Sequence, residues 1–343
     1  MSLAPCLAQA QVTVGPIPID QSVPPAPAAM GKETASDQAN PAPLTVRGPC
    51  DPDYWIVSTR NAKSEIACGH ACHYEVLRFD GSNQGRCSSL EEFLSSLQPS
   101  VPVCFMVHGS FVTWESMLND SAETYRWLKQ AAPCQPLHIV FYTWASNDGD
   151  LIPHVKVNIF GKRSALNGFY LADVVSKVSN DHPICLIGHS HGARLVAATL
   201  HAMGGGSIED RVLSCGPLPP RRLRVVLAAA AIDRHWLNPN ELYGLALCPT
   251  EGILNLRDRI DFPLLFYPLG RPFSRPALAI TGVSRRDREK MGDWSAKICD
   301  YDVSRLVGLG HLWANYYNQP AIASAIRHYV YFDESQPTPE VVH

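Results

Sequence analysis

Two uninterrupted apolar runs, Val103-Cys-Phe-Met-Val107 and Ile184-Cys-Leu-Ile-Gly188, constrain this chain most. A strand with one solvated face alternates apolar and polar residues, so an unbroken run of this length reads as a strand buried on both faces. Leu137–Trp144 reads as another buried strand, and Leu223–Ala230 and Ile253–Leu256 continue the series. Between them lie helical stretches at Ser116–Gln130 and Ala193–Ala202. Leu166, Tyr170, Val174 and Val178 recur every four residues, which predicts a helix from about Ser164 to Ser179. Tyr54–Thr59 and His73–Phe79 open the pattern, followed by a short helix over Ser88–Leu97 with Glu91 and Glu92 in its first turn. Lys297–Val303 reads as the last strand and Ala321–Tyr331 as a closing helix. Such alternation predicts an α/β fold with a mostly parallel central sheet and helices on both faces, one domain over about residues 50–335.

Composition supports that core. Of 343 residues, 46% are hydrophobic and 18% charged, which excludes a wholly disordered chain. The formal charge of −3 gives no global pull toward nucleic acid or an anionic surface. The longest apolar run, Val225–Ile232, falls far short of the roughly 18 residues of a membrane helix, so no transmembrane segment is expected.

Three stretches depart from the rhythm. Residues 1–49 hold nine prolines and no aromatic residue, which predicts a disordered arm. Its first residues end in an alanine-rich segment like the remnant of a signal peptide, which fits either an exported protein or a cytoplasmic one with such a leader. Residues 336–343 read as a flexible tail. Phe262–Ala296 is a proline-interrupted insertion with six Lys/Arg against three Asp/Glu, a candidate lid that would mildly favour anionic substrates. The chain has eleven cysteines, an odd number that forbids complete internal pairing. Cys104 and Cys185 read as buried thiols, whereas Cys50, Cys68, Cys72 and Cys87 lie in polar stretches and could pair in an exported protein. Cys68, His70, Cys72 and His73 also form a candidate metal clip, though no second ligand cluster accompanies it.

The chemistry concentrates at Gly188-His189-Ser190-His191-Gly192. By chance this spacing arises about once in ten chains of such length. Its setting between a buried strand and a helix is what a nucleophile elbow requires, and makes Ser190 the candidate nucleophile. A serine hydroxyl needs a general base. His189 and His191 flank the serine on a sharp turn and should point away from its hydroxyl. His108 ends a strand and belongs to the loop before Gly109. His311, in the glycine-rich loop between the last strand and the closing helix, is the expected base. The acid that orients it should lie between them in sequence. Asp261, which follows Ile253–Leu256 with enough loop to reach across, is preferred; Asp258 and Asp233 remain alternatives. Two backbone N–H groups should meet the oxyanion, those of His191 and of Ser110 in His108-Gly109-Ser110-Phe111.

These residues together resemble the α/β-hydrolase superfamily. Within it, Tyr54-Trp-Ile-Val-Ser-Thr-Arg60 is similar to the opening strand of a group of poorly characterised bacterial serine hydrolases. Asn255 and Asp261 match that group's Asn-x-x-x-x-x-Asp pattern, and His311, Trp313, Tyr316 and Tyr317 match its late histidine and the aromatic residues that follow. Here Arg257-Asp258-Arg259 replaces the group's usual small polar loop before the acid. The resemblance implies an α/β-hydrolase fold and hydrolysis of esters or related acyl bonds, and it implies no particular substrate. The expected triad mechanism acts on a small-molecule acyl or ester substrate and needs no metal or organic cofactor. Acyl transfer by the same triad, or a binding protein that kept the fold without activity, are the alternative expectations.

Overall fold

The computed structural model describes residues 53–62, 74–80, 85–147, 153–270 and 274–333. The arm over 1–49, the candidate clip at Cys68, His70, Cys72 and His73, and the tail over 336–343 lie outside these residues. Nine strands form one sheet: β1 (Asp53–Ser58), β2 (Glu75–Asp80), β3 (Arg86–Ser88), β4 (Val103–Val107), β5 (His138–Thr143), β6 (Ile184–His189), β7 (Leu223–Ala228), β8 (Gly252–Arg257) and β9 (Ile298–Asp302). Their order is β3-β2-β1-β5-β4-β6-β7-β8-β9. From β1 to β9 every neighbouring pair is parallel, while β2 and β3 extend the sheet antiparallel. The expected mostly parallel α/β architecture is therefore present.

Every residue of β4, β6 and β7 is buried, as the apolar runs require, and this demands cover on both faces. The helices are α1 (Leu90–Ser95), α2 (Trp114–Ala131), α3 (Pro153–Ser176), α4 (His191–Met203), α5 (Phe262–Leu265), α6 (Leu278–Thr281), α7 (Arg285–Met291), α8 (Ser304–Val307), α9 (Ala314–Tyr317) and α10 (Pro320–Tyr331). Long α3 packs along α4, and α2 packs with α9 and α10. Serine and threonine caps set two of the starts: Ser89 Oγ accepts from Glu92 N at α1, and Thr113 Oγ1 from Ser116 N at α2.

Three expectations change in detail. Helix α3 starts at Pro153 rather than near Ser164. Valines, isoleucine and Gly161 make that first half a poor helix by propensity, but Phe160 is fully buried there, edge-on to Phe111 and Trp144. Strand β3 is too short and polar to leave a periodic signal, and it takes Ser88, the first residue assigned to the following helix. The segment after β8 is not one irregular insertion but a string of short helical pieces, α5 to α7 with two 3-10 turns, with Gly282 and Gly292 at the C-caps of α6 and α7. Ala277, Leu278 and Ala279 within it are buried, and α6 packs on β8, so this part belongs to the core. Among the described residues, no helix is long and apolar enough to cross a membrane, and no cluster of three or more metal-binding side chains occurs. Cys104 and Cys185 are buried free thiols, and Cys87 is an exposed one.

Candidate active site

Strand β6 ends at His189 and α4 begins at His191, leaving Ser190 alone to reverse the chain. It does so at φ 55° and ψ −122°, a backbone state that a residue with a Cβ enters only under strain. The flanking glycines are required by contact. A Cβ on Gly192 would lie 2.3 Å from the Val107 carbonyl oxygen, and one on Gly188 would lie 2.6 Å from that of Gly192. Serine is a favoured helix cap, yet Ser190 makes no side-chain cap bond. Its hydroxyl is directed elsewhere.

That hydroxyl lies 2.9 Å from His311 Nε2, and His311 Nδ1 lies 2.7 Å from Asp261 Oδ2. A carboxylate oxygen only accepts, so the imidazole proton sits on Nδ1, and Nε2 is left to accept from Ser190. Asp261 is fully buried, and its other oxygen accepts from Leu264 N at 3.1 Å, which caps α5. The structure thus brings together all three residues picked as nucleophile, base and acid. The two alternative acids serve other purposes. Asp258 is buried one residue beyond β8, its Oδ1 accepting from Ile260 N. Burial, aided by the charges of Asp261 and Asp302, pushes its carboxyl up to about 6. Asp233 accepts from Tyr267 Oη, Ser274 Oγ and Arg275 N, and so fastens the segment after the acid to the end of β7.

The loop after β4 lies against the nucleophile, for a Cβ on Gly109 would come 2.9 Å from Ser190 Cβ. Ser110 and His191, picked for their N–H groups, are joined through their side chains, with Ser110 Oγ 2.8 Å from His191 Nδ1. The loop is braced from behind. Arg60 donates to Val112 O at 2.9 Å and to Thr143 Oγ1 at 2.7 Å. Thr143 Oγ1 is 2.8 Å from His108 Nε2, and His108 Nδ1 donates to Gly109 O at 2.8 Å. In a trans peptide the N–H opposes the C=O, so holding the Gly109 carbonyl toward His108 turns the Ser110 N–H the other way. Burial, with the Arg60 cation, lowers the His108 pKa to about 3 and keeps the ring neutral.

His189 was expected only to point away from the serine hydroxyl, and it does more. Its Nε2 donates to the backbone oxygen of His311 at 2.7 Å, tying the loop of His311 to the residue before Ser190. Its ring also packs beside Trp313 and Tyr316. Burial, then the neighbouring His311, lowers its pKa to about 3. Neither this contact nor the Arg60 brace announces itself in sequence, although Arg60, Trp313 and Tyr316 belong to the stretches that carried the family likeness. No protein-family model matches the chain, and no curated protein matches it significantly.

Proposed function

We propose that this protein is a serine hydrolase of the α/β-hydrolase fold that cleaves an ester or related acyl bond. The observation that carries the reading is the continuous hydrogen-bonded line from Ser190 through His311 to Asp261, with the serine held on a strained turn between strand and helix. In this reading Ser190 Oγ attacks the acyl carbonyl while His311 Nε2 takes its proton, and Asp261 stabilises the imidazolium. The N–H groups of Ser110 and His191 meet the negative charge that develops on the carbonyl oxygen, and the positive end of α4 adds to it. Collapse expels the alcohol, which takes the proton from His311 and leaves the acyl group on Ser190. Water, deprotonated by His311, then attacks the acyl carbon; Ser190 recovers its proton and the acid departs.

Labelling by a fluorophosphonate probe tests this directly. Wild type should label, while Ser190→Ala should not, and His311→Ala should label at least a hundredfold more slowly, all three remaining folded. A folded wild type that does not label, or a Ser190→Ala variant that does, would end the proposal.

A further inference from the structure

Nine of the thirteen large apolar side chains exposed among the described residues fall in the three segments that follow β4, β8 and β9, and those segments carry Gly109, Asp261 and His311 of the site. Phe111 and Trp114 follow β4, just beyond Gly109 and Ser110. Ile260, Phe262, Leu265, Phe266 and Leu269 follow β8 and flank Asp261. Leu309 and Leu312 follow β9, on either side of His311. β4, β8 and β9 run in one direction with β6, so these loops leave the same edge of the sheet as Ser190. Leu269 and Leu312 are 75% and 71% exposed, far more than folding alone would leave at such a concentration of apolar groups. Together the nine expose roughly 1,000 Å² in total, and Phe262 and Phe266 are in ring contact within it.

Charge is arranged to match. Across 108–114, 258–281 and 303–331 the only carboxylates are Asp258 and Asp261, and both are buried, while the exposed Glu115 borders the first stretch and Asp302 the third. The exposed charges there, among the described residues, are Arg259, Arg275 and Arg305, of which Arg259 pairs with Asp302 at the end of β9. An apolar rim with a cationic fringe suits the surface of an anionic lipid aggregate, where apolar side chains enter the acyl boundary and guanidinium groups meet headgroups. A protein seated on this face would close the approach to Ser190, whereas a lipid surface supplies substrate through the contact it makes.

We infer that this edge of the molecule docks on anionic lipid surfaces and that Ser190 acts on long-chain acyl esters carried in them. This rests on the hydrolase reading above. The test uses the full chain as Ser190→Ala, sedimented with phosphatidylcholine vesicles containing about a third phosphatidylglycerol or none. Binding to the mixed vesicles should exceed that to pure phosphatidylcholine about fivefold or more, and should weaken at high salt. Leu265→Asp combined with Leu269→Asp, with melting temperature confirming the fold, should reduce it about tenfold. No binding to mixed vesicles, or equal binding by the double variant, would overturn the inference. Wild type is then given 4-methylumbelliferyl oleate dissolved in the same vesicles, and turnover should be faster in the mixed ones. Absent turnover with fluorophosphonate labelling intact would overturn the substrate class. Absent labelling would instead overturn the hydrolase reading on which it stands.

Discussion

Asp258 and Asp261 sit three positions apart, both fully buried, yet they live in different chemistry. Asp261 faces two donors, the imidazole N–H of His311 and the amide of Leu264. Asp258 accepts from the Ile260 amide and has the Ser304 hydroxyl nearby, but burial and the charges of Asp261 and Asp302 outweigh them and favour the protonated acid. Replacing each by asparagine separates the two roles. Asp261→Asn should lower kcat on a soluble ester by about 10³–10⁴ while hardly moving the melting temperature, because asparagine caps a helix as well as aspartate does. Asp258→Asn should leave kcat within about threefold of wild type and raise the melting temperature at pH 8 but hardly at pH 4, since the raised carboxyl costs stability that builds up from about pH 4 and is complete above its folded pKa of about 6. Kinetics and thermal scans at both pH values check the pair. Equal losses of kcat would mean that the two carboxyls act as one unit.

At the scale of elements, the elbow holds its geometry because β4 and α4 meet with almost no space between them. Gly192→Ala would place a methyl group against the Val107 and His108 carbonyls, at 2.3 and 2.6 Å. It should cost about 3 kcal/mol of stability by urea unfolding and slow probe labelling, because α4 must shift and carry Ser190 away from His311. Most of this was legible beforehand. The buried strands announce themselves as unbroken apolar runs, and the glycine-serine-glycine spacing between strand and helix names the nucleophile. Asp261 and His311 follow from chain order and from loops at strand ends. What stayed hidden has no local pattern. Arg60 reaches Val112, Asp233 holds Ser274 and Arg275, and His189 holds the His311 carbonyl, each across tens of residues. The first half of α3 was hidden for another reason: Phe160 stabilises it through packing that its own weak propensity does not reveal.

For the molecule as a whole, two buried neutral histidines make acid stability predictable in sign. His108 and His189 titrate near 3 when folded, against an ordinary value of about 6.5, so between those limits the unfolded chain takes up protons that the folded one refuses. Their stabilisation is complete above about pH 6.5 and is lost as the pH falls toward 3. Asp258, near 6 when folded, works in the opposite sense between about pH 4 and 6, and offsets one of the two. Melting temperature should therefore decline steadily from pH 7 to pH 4, and a flat profile would show that the two rings are not held neutral. The sheet order has a consequence in time as well as in space. Ser190 stands in mid-sheet, while its partner His311 hangs from the loop after β9, the edge strand and the latest in sequence of the described strands. Under the hydrolase proposal, the serine is as inert as any other alcohol in the chain until that edge docks. A nascent or half-folded copy would then be harmless to whatever acyl groups surround it, and reactivity would be switched on by the completion of folding itself.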